Sequence, residues 1–351
     1  GSILRFDGAR LRVGPQSAGA DPGPACYAQG GDLPTVTDAN VVLGYLPPQL
    51  VGGEMLLDTE LARKAVVIIA DKLGMDLYQA AKGIIDIVNE NMLGAIRVAS
   101  VEKGHDPRDY ALLPLGGAGP LHANALGTLS GSWPVIVPTM PGVLSALGFL
   151  ASDFRNEFGK THIRLLKDVT PAKLAADLEN LGAMAQDWLE KEGVPAEQGE
   201  IQYELDMRYL RQGFELPIRT TVTEARENLG ACAARFEEMH QRLYHFKLDT
   251  EIEVVNMRAT ALGRTNRIAF TGTPKKGLRL GDAIVDPNHK AYFEGAFVTT
   301  PVYDRARLDV GHAIAGPAII TQLDSTTLVL PGHTARIDDY LNIIIQPGQP
   351  A

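Results

Sequence analysis

The chain has 351 residues, 45% hydrophobic and 21% charged, with a net charge of −9 and a pI of about 5.4. That length suits roughly two or three domains, and an acidic balance with no long basic run argues against nucleic acid or an anionic membrane as partner. The two cysteines, Cys26 and Cys232, exclude a disulfide framework or a Cys-rich zinc site and suit a reducing cytoplasm. No apolar run reaches the roughly 18–20 residues that cross a bilayer, and "GSILRFDGAR" lacks a charged-then-apolar leader. A cytoplasmic protein is expected. The abrupt strand-like start leaves open that the chain is the inside of a longer polypeptide.

Residues 1–50 are rich in Gly and Pro and carry little periodicity, the pattern of a long ordered loop, which in a compact domain is usually functional. Thr37 or Asp38 is expected to cap a short helix starting near Ala39. A helix over 59–73 should end at Gly74. A second should start after Asp76 and run to Lys103, with Gly104 closing it. Its apolar stripe reads Leu77, Ala81, Ile84, Val88, Met92, Ala95 and Ala99. Then come a strand at 111–115, the turn Gly116-Gly117-Ala118-Gly119-Pro120, a helix at about 121–130, a strand at 133–138 and a helix within 140–153. That alternation marks an α/β layer.

Beyond Phe158 the pattern changes. A helix over 170–192 starts at Thr170-Pro171. Residues 200–220 alternate as two antiparallel strands turning at Arg211-Gln212-Gly213. A helix over 224–246 and a strand over 252–263 complete an α+β unit, and short strands fill the rest. The expected division is 1–158, 159–265 and a β-rich module over 266–351.

The glycine turn is the strongest chemical feature. Glycines between a strand and a helix remove side chains and tolerate positive φ, and amides at a helix start favour anionic or polar ligand edges. The turn is neither a P-loop, since no Lys-Ser/Thr follows, nor a G-x-G-x-x-G in register; tight strand–helix packing explains it equally well. Asp21 and Asp38 are the candidate catalytic carboxylates. On a rigid loop they can hold Mg²⁺ on a nucleotide, with Asp38 the candidate metal ligand, or orient a water. Equally, Asp38 can cap a helix and Asp21 can make an Asx turn. Cys26 reads as packing more readily than as a nucleophile. His122, in the first turn after the glycines, either touches a ligand or packs. "LDSTTLVLPG" at 323–332 reads as a hairpin.

Four blocks then carry a resemblance: "LRVGPQSAGADPGPACYAQGGDLPTVTDANVVLG", "VEKGHDPRDYALLPLGGAGPLHA", "VIVPTMPGVLSALGFLASD" and "GPAIITQLDSTTLVLPG". Together, and in this order, they resemble the hydantoinase A / 5-oxoprolinase family over essentially the whole chain. The resemblance implies the second lobe of an actin-like ATPase fold. Gly116, Gly117, Ala118 and Gly119 would then line an adenosine pocket, with Pro120 and His122 beside it. It implies ATP with Mg²⁺, a B-type partner subunit in a hetero-oligomer, and a cyclic amide activated by phosphorylation of its oxygen. A ketone carboxylase subunit and a catalytically incomplete interaction subunit are the alternatives. The family's D-x-G-G-T phosphate motifs are absent, and the chain begins within the strand that follows the second of them. The resemblance therefore implies the C-terminal half of an A-type subunit, which alone binds ATP weakly and does not turn it over.

Overall fold

The computed structural model describes residues 1–8, 10–265 and 269–348. The chain forms two compact units, Gly1–Leu147 with Ala269–Ala351, and Gly148–Ile268.

In the first unit, helix α1 (Val36–Val42) is followed by α2 (Thr59–Leu73) and α3 (Leu77–Ala99). Asp58 caps α2 by accepting from Leu61 N–H, Asp76 caps α3 by accepting from Tyr78 and Gln79 N–H, and Gly74 ends α2 in the left-handed conformation that Gly adopts cheaply. α1, α2 and α3 bury Ala39, Val42, Val66, Ile69, Ala81 and Ile84 in one core. The buried face of α3 differs from the expected stripe. It runs through Ala80, Ala81, Ile84, Ile85, Asn89 and Leu93, while Ala95 and Ala99 face water. α3 also stops at Ala99, where the Ser100 hydroxyl bonds back to Ile96 O, and a short 3₁₀ turn reaches Lys103.

Helix α4 (Gly119–Ser130) lies beside two four-stranded sheets. One contains strands Ile284–Asp286, Val302–Asp304, Ala318–Gln322 and Ser325–Val329; the other contains Ala313–Ala315, His333–Ile337, Ile343–Pro347 and Val135–Val137. The C-terminal module therefore does not stand apart as the three-part division expected. Val135, Ile136 and Val137 pair antiparallel with Ile345, Ile344 and Ile343, and their alternate residues share a core with Ile314, Ile337 and Val329. Strand pairing across 200 positions of sequence leaves no local trace. The expected strand at 111–115 is reduced to one parallel bridge, Leu112 to Val135, because Pro114 has no N–H to extend it. Helix α5 (Leu144–Ala151) follows the Pro141-Gly142 turn.

The second unit is a sheet in the order Phe154–Leu165, Ile252–Gly263, Gly199–Tyr209 and Leu216–Thr220. Residues 154–158, expected in the first segment, belong here, paired with Ala259–Gly263. Helices α6 (Pro171–Lys191), α7 (Val222–Glu227) and α8 (Leu229–Tyr244) supply Leu174, Leu178, Leu181, Ala225 and Phe236 to its core with Leu205, Met207 and Met257. The expected hairpin and the strand over 252–263 are both present, with Arg211 at φ 70 in the turn.

Candidate functional site

The glycine turn is largely solvent-exposed from Leu115 through Ala118. Gly116 has φ 81, in the region where a side chain costs roughly 1–2 kcal/mol. α4 begins with Ala118 as N-cap and no side chain closing it. Among the described residues, neither the Gly117 nor the Ala118 N–H meets an acceptor in the chain. Two bare amides at the start of a 12-residue helix thus face outward, a geometry suited to an anionic or strongly polar ligand edge.

What holds the turn comes from two distant segments. Gly116 N–H donates to Pro141 O at 2.9 Å. The next residue, Gly142, donates its N–H to Asp324 Oδ2 at 2.8 Å. Asp324 sits in the two-residue turn between strands Ala318–Gln322 and Ser325–Val329, so "LDSTT" is the expected hairpin. Asp324 Oδ1 accepts from Gln322 Nε2, which also donates to Thr139 O. Gln322 Oε1 accepts from Arg305, whose guanidinium also donates to Val137 O and Leu341 O. Burial brings the Arg305 pKa down to about 10, so it stays charged at neutral pH. The relay is tightly fitted at both glycines. A Cβ on Gly117 would stand 2.9 Å from Asp324 O, and one on Gly142 would stand 2.7 Å from Asp324 Oδ2. No sequence signal pointed to Asp324, Gln322 or Arg305, because each reads alone as an ordinary polar residue near a turn.

His122 lies below the turn, 7% exposed, with Nδ1 2.9 Å from Asn89 Oδ1 on α3. Burial lowers its pKa to about 4, so it is neutral at physiological pH. Of its two expected roles, the packed one is what the geometry shows, and it supports α4 from beneath. Its titration has a definite sign. The unfolded chain binds the proton near pH 6.5 and the folded chain only near pH 4, so folding stability falls as pH drops through that interval. We expect His122→Gln to remove roughly 3 kcal/mol of pH dependence between pH 7 and pH 4, read as the difference between wild-type and variant urea titrations at several pH values. Pro120 is buried at the second helical position of α4.

The carboxylates part company. Asp38 is fully buried. Its Oδ1 accepts from Cys26 N–H at 2.8 Å, and its Oδ2 accepts from Thr35 N–H at 2.9 Å and Thr35 Oγ1 at 2.7 Å. Thr35 Oγ1 accepts in return from Asp38 N–H at 3.3 Å, completing a capping box with Thr35 as N-cap. The cap is therefore Thr35, and Asp38 is the third residue of α1 rather than its cap. The donor set does not fit a metal ion, since both oxygens are engaged and turned inward. Asp21 is exposed, and among the described residues no group of three or more His, Cys, Asp or Glu is placed to hold a metal. Cys26 is buried, and burial together with Asp38 raises its thiol pKa far above neutrality, which removes it as a thiolate nucleophile.

A glycine-rich turn with two exposed amides thus opens a helix of a mixed α/β protein and is clamped by a distant hairpin. The hydantoinase/oxoprolinase model matches residues 1–158, and the hydantoinase/oxoprolinase C-terminal domain matches residues 167–344. The chain belongs to the hydantoinase/oxoprolinase family. It is 35% identical to caprolactamase subunit alpha of Pseudomonas jessenii, over 99% of this chain and 51% of that one. It is 30% identical to 5-oxoprolinase 1 of Arabidopsis thaliana, over 99% of this chain and 28% of the plant protein. The crystal structure of the ATP-dependent caprolactamase superposes with a TM-score of 0.78, covering 99% of this chain and 52% of that chain. The nucleotide-free acetone carboxylase superposes at 0.79 with 25% identity, over 99% of this chain and 51% of that chain. The chain thus spans about half the length of the caprolactamase subunit and of the acetone carboxylase chain.

Proposed function

We propose that this chain is the adenosine-binding lobe of an ATP-dependent enzyme acting on cyclic amides, built on the actin-like ATPase plan. The observation that carries the proposal is the exposed stretch Gly116–Ala118 with two amides unpaired among the described residues, in a chain 35% identical to an ATP-dependent caprolactamase. The nucleoside lies against Gly116, Gly117, Ala118 and Gly119, three of which carry no side chain to keep it off the backbone. Asp324 positions the turn, and His122 supports it without touching the ligand. A lactam or imide amide is resonance-stabilised. Phosphoryl transfer from ATP to its oxygen gives an imidate phosphate that water can attack, and oriented amides stabilise the charge that develops. The phosphates and any accompanying Mg²⁺ are held by the other half of the subunit, with a B-type subunit completing hydrolysis. Asp38 has no part in that step.

The acetone carboxylase likeness favours a second reading, in which the oxygen phosphorylated is a ketone's enolate and the carbon is then carboxylated. ATP turnover of the chain joined to its complementary half and B-type partner separates the two. Stimulation by a cyclic amide without bicarbonate supports the hydrolase, stimulation by acetone or acetophenone with bicarbonate supports the carboxylase, and ATP turnover by the isolated chain contradicts both. Asp324→Ala tests the positioning role. Loss of one charge-assisted hydrogen bond is worth about 1.5–3 kcal/mol, so the KM for ATP should rise on the order of tenfold while the melting temperature of the chain stays within a few degrees of wild type.

A further inference from the structure

The segments through Leu112 and Val135 run parallel, joined by Leu112 N–H to Pro134 O and Ile136 N–H to Leu112 O. The first ends in the glycine turn and the second in the turn at Thr139–Gly142. Gly116 N–H, donating to Pro141 O, ties the two ends together. The crevice outside the carboxyl ends of parallel strands is where open α/β layers hold ligands. Asp324 enters this place from the hairpin, and all of these residues belong to the first compact unit. Its backbone O stands 2.9 Å from where a Cβ of Gly117 would be, and its carboxylate accepts from Gly142 N–H.

A carboxylate has about four acceptor sites, two on each oxygen. At Asp324 each oxygen uses one, Oδ2 for Gly142 N–H and Oδ1 for Gln322 Nε2. Among the described residues nothing else donates to it and no cation pairs with it directly, and it is only half-buried. One acceptor site on each oxygen is therefore open, beside a turn with two unpaired amide donors, Gly117 and Ala118. Two neighbouring acceptors match two neighbouring donors. Of the parts of a nucleotide, the phosphates offer none and are repelled by the carboxylate. The edge of adenine offers one amino group. The 2′- and 3′-hydroxyls of ribose offer two donors on adjacent carbons, and each hydroxyl can also accept from an amide.

We propose that Asp324 determines specificity for ribose, its carboxylate accepting from the 2′- and 3′-hydroxyls in addition to holding the turn. The inference rests on the adenosine reading of that turn. Binding of ATP, 2′-deoxyATP and 3′-deoxyATP to the chain joined to its complementary half and B-type partner is measured by calorimetry, with no cyclic amide present. Each deoxynucleotide lacks one charge-assisted hydrogen bond and should bind on the order of tenfold more weakly than ATP. Asp324→Ala should weaken ATP on the order of tenfold and bring all three nucleotides within about twofold of one another. A carboxylate that only positions the turn would instead weaken all three alike and leave the preference for ATP in place. Should that variant fold poorly, Asp324→Ser keeps an acceptor for Gly142 N–H and carries the same expectation. Equal binding of the three nucleotides by the wild type overturns the proposal, as does a preference for ATP that survives the loss of the carboxylate. So does a variant that loses discrimination against inosine triphosphate instead, which would put Asp324 on the base. A wild type that binds none of the three sinks the adenosine reading itself. One that binds ATP, loses it in Gly117→Val and ignores the ribose hydroxyls sinks this inference alone.

Discussion

In the assembled enzyme, Gly117→Val should lower ATP turnover roughly 100-fold, the scale of a displacement of about 1 Å at a positioned site. A Cβ at Gly117 would stand 2.9 Å from Asp324 O, closer than carbon and oxygen pack, so the turn or the hairpin must give way. The hairpin is poorly placed to move. Asp324 is tied to Gly142 N–H and Gln322, and Gln322 to Arg305 and Thr139 O. The turn therefore swings outward into the space assigned to the nucleoside, and the valine adds two methyl groups to the obstruction. Gly116→Ala is the matched control. It meets nothing within 4 Å, so its cost is the left-handed backbone alone, about 1–2 kcal/mol, without obstruction. The ratio of the two effects on KM for ATP is the informative quantity. Equal, small effects would remove the nucleoside from this turn and leave it a packing device. The melting temperature should barely change with Gly117→Val, because the turn is exposed from Leu115 to Ala118.

The elements written by local rules were legible. Asp58, Asp76 and Gly74 mark α2 and α3 because caps act within four residues. The strand at 252–263 was legible because polar and apolar residues alternate from Asn256 to Ala261, and the glycine turn because three glycines before a helix have few uses. Illegible features depend on partners far away in sequence. The pairing of 135–137 with 343–345 merged two expected domains, and the Asp324 relay joins residues 182 positions from Gly142. Asn89 falls in the same class. A polar residue on a helix reads as solvent-facing until His122 is found against it. The stripe on α3 failed past Leu93 for a different reason. Small apolar residues such as Ala95 and Ala99 are compatible with either side of a helix surface, so their spacing alone does not choose. Asp38 was misread by rule rather than by distance. Capping signals at Thr35, Thr37 and Asp38 overlap, and the Asp at the third position of a Thr-initiated box looks like a cap in its own right.

That overlap gives the largest expected stability effect. Asp38→Ala should destabilise the chain by roughly 3–5 kcal/mol, a large share of the 5–15 kcal/mol of a typical domain. The carboxylate is the acceptor for three donors in a buried place, Cys26 N–H, Thr35 N–H and Thr35 Oγ1. Each donor left without a partner costs about 1–3 kcal/mol, and the hydroxyl can relieve itself by rotating. The loss also releases the loop at Cys26 from the start of α1. Asp38→Asn separates charge from shape. An amide can accept from Cys26 N–H through its oxygen, but its NH₂ then faces the Thr35 donors, so this variant should recover only part of the stability. A metal-ligand role predicts the opposite pattern: stability close to wild type and an ATP turnover whose dependence on Mg²⁺ concentration shifts strongly. Urea unfolding of the chain, with no nucleotide or metal added, decides between them. A midpoint unchanged in Asp38→Ala would return the carboxylate to the list of candidate ligands, and a collapse of the midpoint fixes it as the residue that ties the glycine- and proline-rich loop to the first helix.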